Sequence, residues 1–135
     1  MDLRELEDNM EWLEWEDRYR YLIELGEALE PIDEQARCEA NRVKGCMSQV
    51  WLQLEPTEDR LEFRGDSDSA IVKGLVAVLR IAYSGRLPQA ILDLDLKAAF
   101  ARMGLDEHLS PNRRNGFYSM VGLVRGRAQA MLLKA

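Results

Sequence analysis

An α+β fold, with a small antiparallel sheet packed by helices on one side, is predicted by two changes of hydrophobic period along the chain. Residues 16 to 29 space apolar side chains as one face of a helix. Residues 49 to 63 alternate apolar and polar in two short runs, and helical spacing returns after Ser69. Strands confined to one stretch, with helices before and after it, make a hairpin-centred α+β domain and not an alternating α/β one. Residues 1–135 form a single domain on this reading, with no repeat, low-complexity tract or linker.

In EDRYRYLIELGEAL, Tyr19, Leu22, Ile23 and Leu29 share a face, and Pro31 closes the helix because it cannot continue one. The acidic run before it reads only as a solvated face. From Gln49, the residues Val50, Leu52 and Leu54 alternate with polar partners. The residues PTED at 56 to 59 supply turn chemistry, and Leu61 and Phe63 begin a second strand, giving a hairpin. Arg42 to Lys44 could add a short leading strand.

Ser69 is placed to cap a helix that is apolar on most sides and lies across the sheet. Gly74, in the middle of that helix, costs about 1 kcal/mol relative to alanine, so its presence predicts close backbone packing there. Two short helical pieces follow, near 88–92 and 95–103, the second ending at Gly104. Ser110 can cap and Pro111 can start a last helix, whose stripe is Phe117, Met120, Val121 and Val124.

Composition narrows the functions. Apolar residues make up 47% and charged residues 31%, an ordinary globular balance that leaves little room for a long disordered tail. A net charge of −6 disfavours nucleic acid and anionic lipid as partners. The longest strongly apolar run, Gly74 to Leu79, is far short of the roughly 20 residues that span a bilayer. The opening MDLRELEDNMEWLEWEDR lacks the basic-then-apolar order of a secretory signal. A cytoplasmic protein is expected, with Cys38 and Cys46 as free thiols in a reducing compartment.

Cys46 is the leading chemical candidate. It follows Gly45, which permits a tight turn, and precedes the first strand, so its thiol belongs at a loop tip near Arg42 and Lys44. Positive charge lowers a thiol's pKa and raises its thiolate fraction. A small buried hydrophobe is the alternative, since free cysteine is among the most buried residue types. Arg113 and Arg114 are odd in the first turn of a helix, where the dipole disfavours each cation by about 0.3–1 kcal/mol. Either a surface carboxylate compensates, or an anionic thiolate or a partner's acids do.

His108 could pair with Cys46 as a nucleophilic dyad or serve in packing. Three Cys and His residues at no recognised spacing argue against a metal site, and no glycine-rich phosphate cradle is present. Cys38 could trap Cys46 as a disulfide or be an incidental thiol. Trp12, Trp15 and Trp51 read as core or edge packing.

Four ordered segments go further: RYRYLIELGEAL (18–29), NRVKGCMSQVWL (41–52), FRGDSDSAIVKGL (63–75) and GLDEHLSPNRRNGF (104–117). Together they resemble the SufE family, sulfur acceptors for cysteine desulfurases, and the resemblance runs from about Arg18 to Val124. It implies a fold shared with IscU-type iron–sulfur scaffolds. Cys46, in GCxSQVW, would be the persulfide acceptor, and Arg113, in LSPxRxxG, a supporting residue. Met47 stands where many relatives carry glutamine and Ala40 where many carry an acid. No family role transfers to Cys38.

The implied activity is uptake of persulfide sulfur from a desulfurase, stimulation of that enzyme, and relay to a downstream iron–sulfur scaffold. Pyridoxal phosphate (PLP) would reside on the partner; the chain would need no cofactor or metal and would have no independent turnover. Two cysteines suit a one-thiol relay better than a scaffold. Because a persulfide is easily lost, Cys46 is expected to tuck against apolar residues in the free protein. The competing reading is an adaptor that acts through surface contacts, with Cys46 only structural; a Cys–His hydrolase is more distant.

Overall fold

The computed structural model describes residues 1–134. Its helices are α1 (Leu3–Glu11), α2 (Trp15–Glu27), α3 (Ala70–Tyr83), α4 (Pro88–Asp93), α5 (Leu96–Arg102), α6 (Leu105–His108) and α7 (Pro111–Lys134). Between α2 and α3 lie two turns of 3-10 helix (Glu34–Ala36 and Glu39–Asn41) and the strands β1 (Val50–Thr57) and β2 (Arg60–Ser67). The strands form a two-stranded antiparallel sheet. The α+β class holds.

The hairpin register follows from burial. Val50 faces Ser67, Leu52 faces Gly65, Leu54 faces Phe63 and Pro56 faces Leu61, so one face carries the apolar set. A slip of one residue would turn that whole set to solvent. The turn is tighter than the PTED stretch suggests: Pro56 and Thr57 pair in the ladder, leaving Glu58 and Asp59 as a two-residue loop with Glu58 at φ 56°. Proline is tolerated at this point because the carbonyl of Leu61, its partner, has no need of the missing proline N–H and accepts instead from the Gly85 N–H at 2.8 Å. The leading strand at Arg42 to Lys44 shrinks to a single bridge between Arg42 and Trp51, after which the turn at Gly45 leads the chain away.

Helix α3 is the centre of the core. Ser69 caps it, accepting from the Val72 N–H, and Leu75, Val76, Val78, Leu79 and Ala82 are fully buried. Gly74 meets the predicted close approach: a Cβ there would sit 2.3 Å from the Leu22 carbonyl oxygen of α2. In α7, Phe117, Met120, Val121 and Val124 are all buried, with Phe117 stacked on Phe100 at 4.3 Å between centroids. Each large side chain so enclosed contributes about 1.5–3 kcal/mol relative to exposure.

The acidic start is not merely a solvated face. Asp2 accepts from the Glu5 N–H at 2.9 Å and opens α1, which buries Leu3, Leu6 and Met10 along one stripe. Trp12, at the end of α1, is 87% exposed and packs in no core, whereas Trp15 stacks on His108. None of the described helices is long and apolar enough to cross a membrane.

Candidate functional site

The loop carrying Cys46 is held at its two ends and loosely between them. The Val43 N–H bonds to the Val50 carbonyl at 2.8 Å. Gln49 closes the other end, its N–H reaching Asp68 Oδ1 at 3.1 Å and its carbonyl accepting from Ser67 Oγ at 2.7 Å. Among the described residues, no side chain of residues 44–48 makes a hydrogen bond. Gly45 turns the chain at φ 87°, a left-handed conformation that favours glycine, and sends the next side chain down toward α7.

There the Cys46 thiol lies half-buried beside a cavity of about 20 Å³, lined by Val72 of α3 and by Asn112, Arg113, Gly116, Phe117 and Met120 of α7, with Met47 and Ser48. A space of that size admits about one water-sized atom. Burial pushes the Cys46 thiol above its ordinary pKa, so at neutral pH it is held protonated and quiet. The cations expected to lower it do not act in this conformation. Arg42 instead lies 3.7 Å from the Glu39 carboxylate.

Ser110 caps α7 as anticipated, its Oγ accepting from the Arg113 N–H at 3.3 Å. The two arginines of that turn then part. Arg114 donates to the Asp106 carbonyl at 3.2 Å. Arg113 lines the Cys46 cavity, and among the described residues its guanidinium has no carboxylate partner. The cavity thus has an apolar floor with an uncommitted cation at its rim.

A family model described as SufE, Fe-S metabolism associated domain, matches residues 4–128. The chain belongs to the SufE family. That membership ties it to iron–sulfur metabolism. The solution structure of a hypothetical protein from Thermus thermophilus is similar in fold, with a TM-score of 0.79 and 20% identity over 97% of this chain and 96% of that one.

Within this SufE protein the sequence-read candidates separate. Cys46 and Arg113, from segments 67 positions apart in the chain, line one cavity. His108 does not: its ring stacks on Trp15 at 3.6 Å, and its carbonyl accepts the Tyr19 hydroxyl, so it is a packing residue with no place beside Cys46. Cys38 is exposed and free, and is absent from the cavity lining. No group of three or more His, Cys, Asp or Glu among the described residues is placed to hold a metal. Sequence reasoning does not single out Val72 or Gly116. For Gly116 the available signal is a glycine inside a helix, the same signal that marks Gly74.

Proposed function

We propose that this SufE protein accepts sulfur on Cys46 from the persulfide of a PLP-dependent cysteine desulfurase and relays it to an iron–sulfur assembly scaffold. What supports the reading most is the placement of the GCxSQVW cysteine on a loop tip, with its sulfur against an apolar recess and the free Arg113 at the rim.

The chemistry is a thiol–disulfide exchange. The Cys46 thiolate attacks the outer sulfur of the donor persulfide; the donor's S–S bond breaks, the donor cysteine leaves as a thiolate, and Cys46 becomes the persulfide, with no net oxidation. The thiol's proton passes to solvent or to the leaving thiolate. In the recess Cys46 is a poor nucleophile, because burial favours its neutral form. Docking of the desulfurase draws residues 44–48 outward, which removes that penalty and leaves the thiolate near cationic groups, Arg113 among them. Return to the recess shields the loaded sulfur from small thiols. The PLP chemistry belongs to the partner, and the setting is the cytoplasm.

The half-buried state is also what a merely packed cysteine would display, and this favours a second reading, an adaptor acting on a desulfurase through its surface. Intact-mass measurement after incubation with a cysteine desulfurase, PLP and free cysteine separates the two. One added sulfur, removable by reductant, lost in Cys46→Ser and kept in Cys38→Ser, is expected for the relay. Sulfur loaded on Cys38 alone, or a Cys46→Ser protein that still fully stimulates the desulfurase, would sink it.

A further inference from the structure

Where the Cys46 sulfur meets α7, the helix carries no side chain. A Cβ on Gly116 would stand 2.9 Å from Cys46 Sγ, closer than real carbons come, but 3.6 Å from its Cβ and 3.9 Å from its Cα, which is ordinary contact. The sulfur alone occupies the space a larger residue would fill. One helical turn on, a Cβ on Gly45 would stand 3.0 Å from Ser119 Oγ. Two of the places where the loop meets α7 thus have a glycine on one side, and between its anchored ends at Val43 and Gln49 its side chains add no hydrogen bond among the described residues.

We infer that Gly116 is a positioning residue: its missing side chain forms the seat in which Cys46 Sγ rests, and so sets how long the thiol stays withdrawn. Glycine otherwise has little reason to be here. Residue 116 lies inside a 24-residue helix, where alanine is the better helix former. Gly122 and Gly126 of the same helix meet nothing within 4 Å, so their substitution touches no neighbour. At 116 the obstructing atom is the end of a one-carbon side chain on an exposed loop, which can turn to another staggered rotamer without moving the backbone. Gly116→Ala therefore ejects the thiol and leaves the fold intact. The importance of this seat rests on Cys46 being the sulfur acceptor, but its existence does not.

The test uses the full chain carrying Cys38→Ser, so that Cys46 is the only thiol, and follows alkylation by iodoacetamide with no desulfurase present. Gly116→Ala should react about tenfold faster at neutral pH, because the thiol leaves the recess whose burial favours its neutral form and becomes accessible. Its rate–pH profile should shift downward toward the ordinary thiol value of about 8.5. Gly122→Ala, the same change on the same helix, should match the parent in both. Ser119→Leu, which lifts the loop through its other contact, should raise the rate as Gly116→Ala does and serves if that variant folds poorly.

A rate and pH profile unchanged in a folded Gly116→Ala, or in Ser119→Leu, overturns the inference, as does an equal rise in Gly122→Ala. Alkylation that behaves as expected while no variant takes up sulfur would discard the relay and keep the seat. Sulfur uptake with unchanged alkylation would do the reverse.

Discussion

Two pairs of glycines bring segments of this protein into contact, one pair between α2 and α3 and the other between the Cys46 loop and α7. At the first, a Cβ on Gly26 would lie 2.7 Å from the Gly74 nitrogen, and a Cβ on Gly74 would lie 2.3 Å from the Leu22 carbonyl oxygen. At the second, the obstructing atoms are Cys46 Sγ and Ser119 Oγ. Backbone in a packed helix cannot step aside, whereas the end of a short side chain turns about one bond. The same residue type therefore cements the core in one place and makes a releasable rest for a thiol in the other. What decides between the two is the atom that glycine leaves room for.

Stability measurements should divide the pairs most sharply. Gly74→Ala forces two helices apart in the centre of the core, and overpacking of that kind costs about 1–3 kcal/mol or more; with backbone as the obstacle, a loss of at least about 3 kcal/mol is expected in urea unfolding. Gly116→Ala should stay within about 1 kcal/mol of the parent, because the alanine's helix preference offsets the displaced contact. If both variants lose the same stability, the distinction between rigid and yielding contacts is void.

A smaller effect is expected in hydrogen exchange when a cysteine desulfurase is added. Amides of residues 43–49 should change their exchange, while those at the α2–α3 contact should not. Identical exchange of 43–49 with and without the desulfurase would argue against the gated loop.

The rigid contact is more legible in the sequence than the yielding one, for a physical reason. Gly74 stands in a run of buried apolar residues, so an unfavourable helix residue there points to packing, and Leu22 answers it. Gly116 carries the same signal, but its partner is 70 positions earlier in an irregular loop, and no periodicity links the two. Cys46 and Arg113 are legible as single residues through their motifs. That they share a cavity is tertiary information, as are the Val72 and Met120 walls. Helix α1 is hidden by its density of acids, which reads as charge alone, although Asp2 and Glu5 have capping spacing and Leu3, Leu6 and Met10 recur on one face. The hairpin turn falls later than the PTED stretch suggests because Pro56 looks like a breaker, and the sheet accommodates it where its partner's carbonyl accepts from another N–H, that of Gly85.

The smallest effect is predicted at Asp66, which ties the segment leading to the loop onto the rigid side of the molecule. Its carboxylate accepts from Arg37 at 2.5 and 3.0 Å and lies 3.4 Å from Lys73 of α3. Burial by itself would raise the carboxyl's pKa, but the Arg37 hydrogen bonds, the Ser67 N–H and the Lys73 charge outweigh it and hold the group below the usual carboxylate range. A depressed folded-state pKa means that the stabilisation is complete above the unfolded value of about 3.9 and fades as pH falls through the folded one. Asp66→Asn should therefore cost about 1 kcal/mol at pH 7, a modest figure because the Arg37 side chain is 39% exposed, and should flatten the acid side of the stability profile below about pH 4. Alkylation of Cys46 should be unaltered in this variant, since Asp66 holds the approach to the loop while Gly116 seats the thiol. A faster reaction would mean that the anchor and the seat are one coupled device, and that the loop's freedom is set from the sheet as much as from α7.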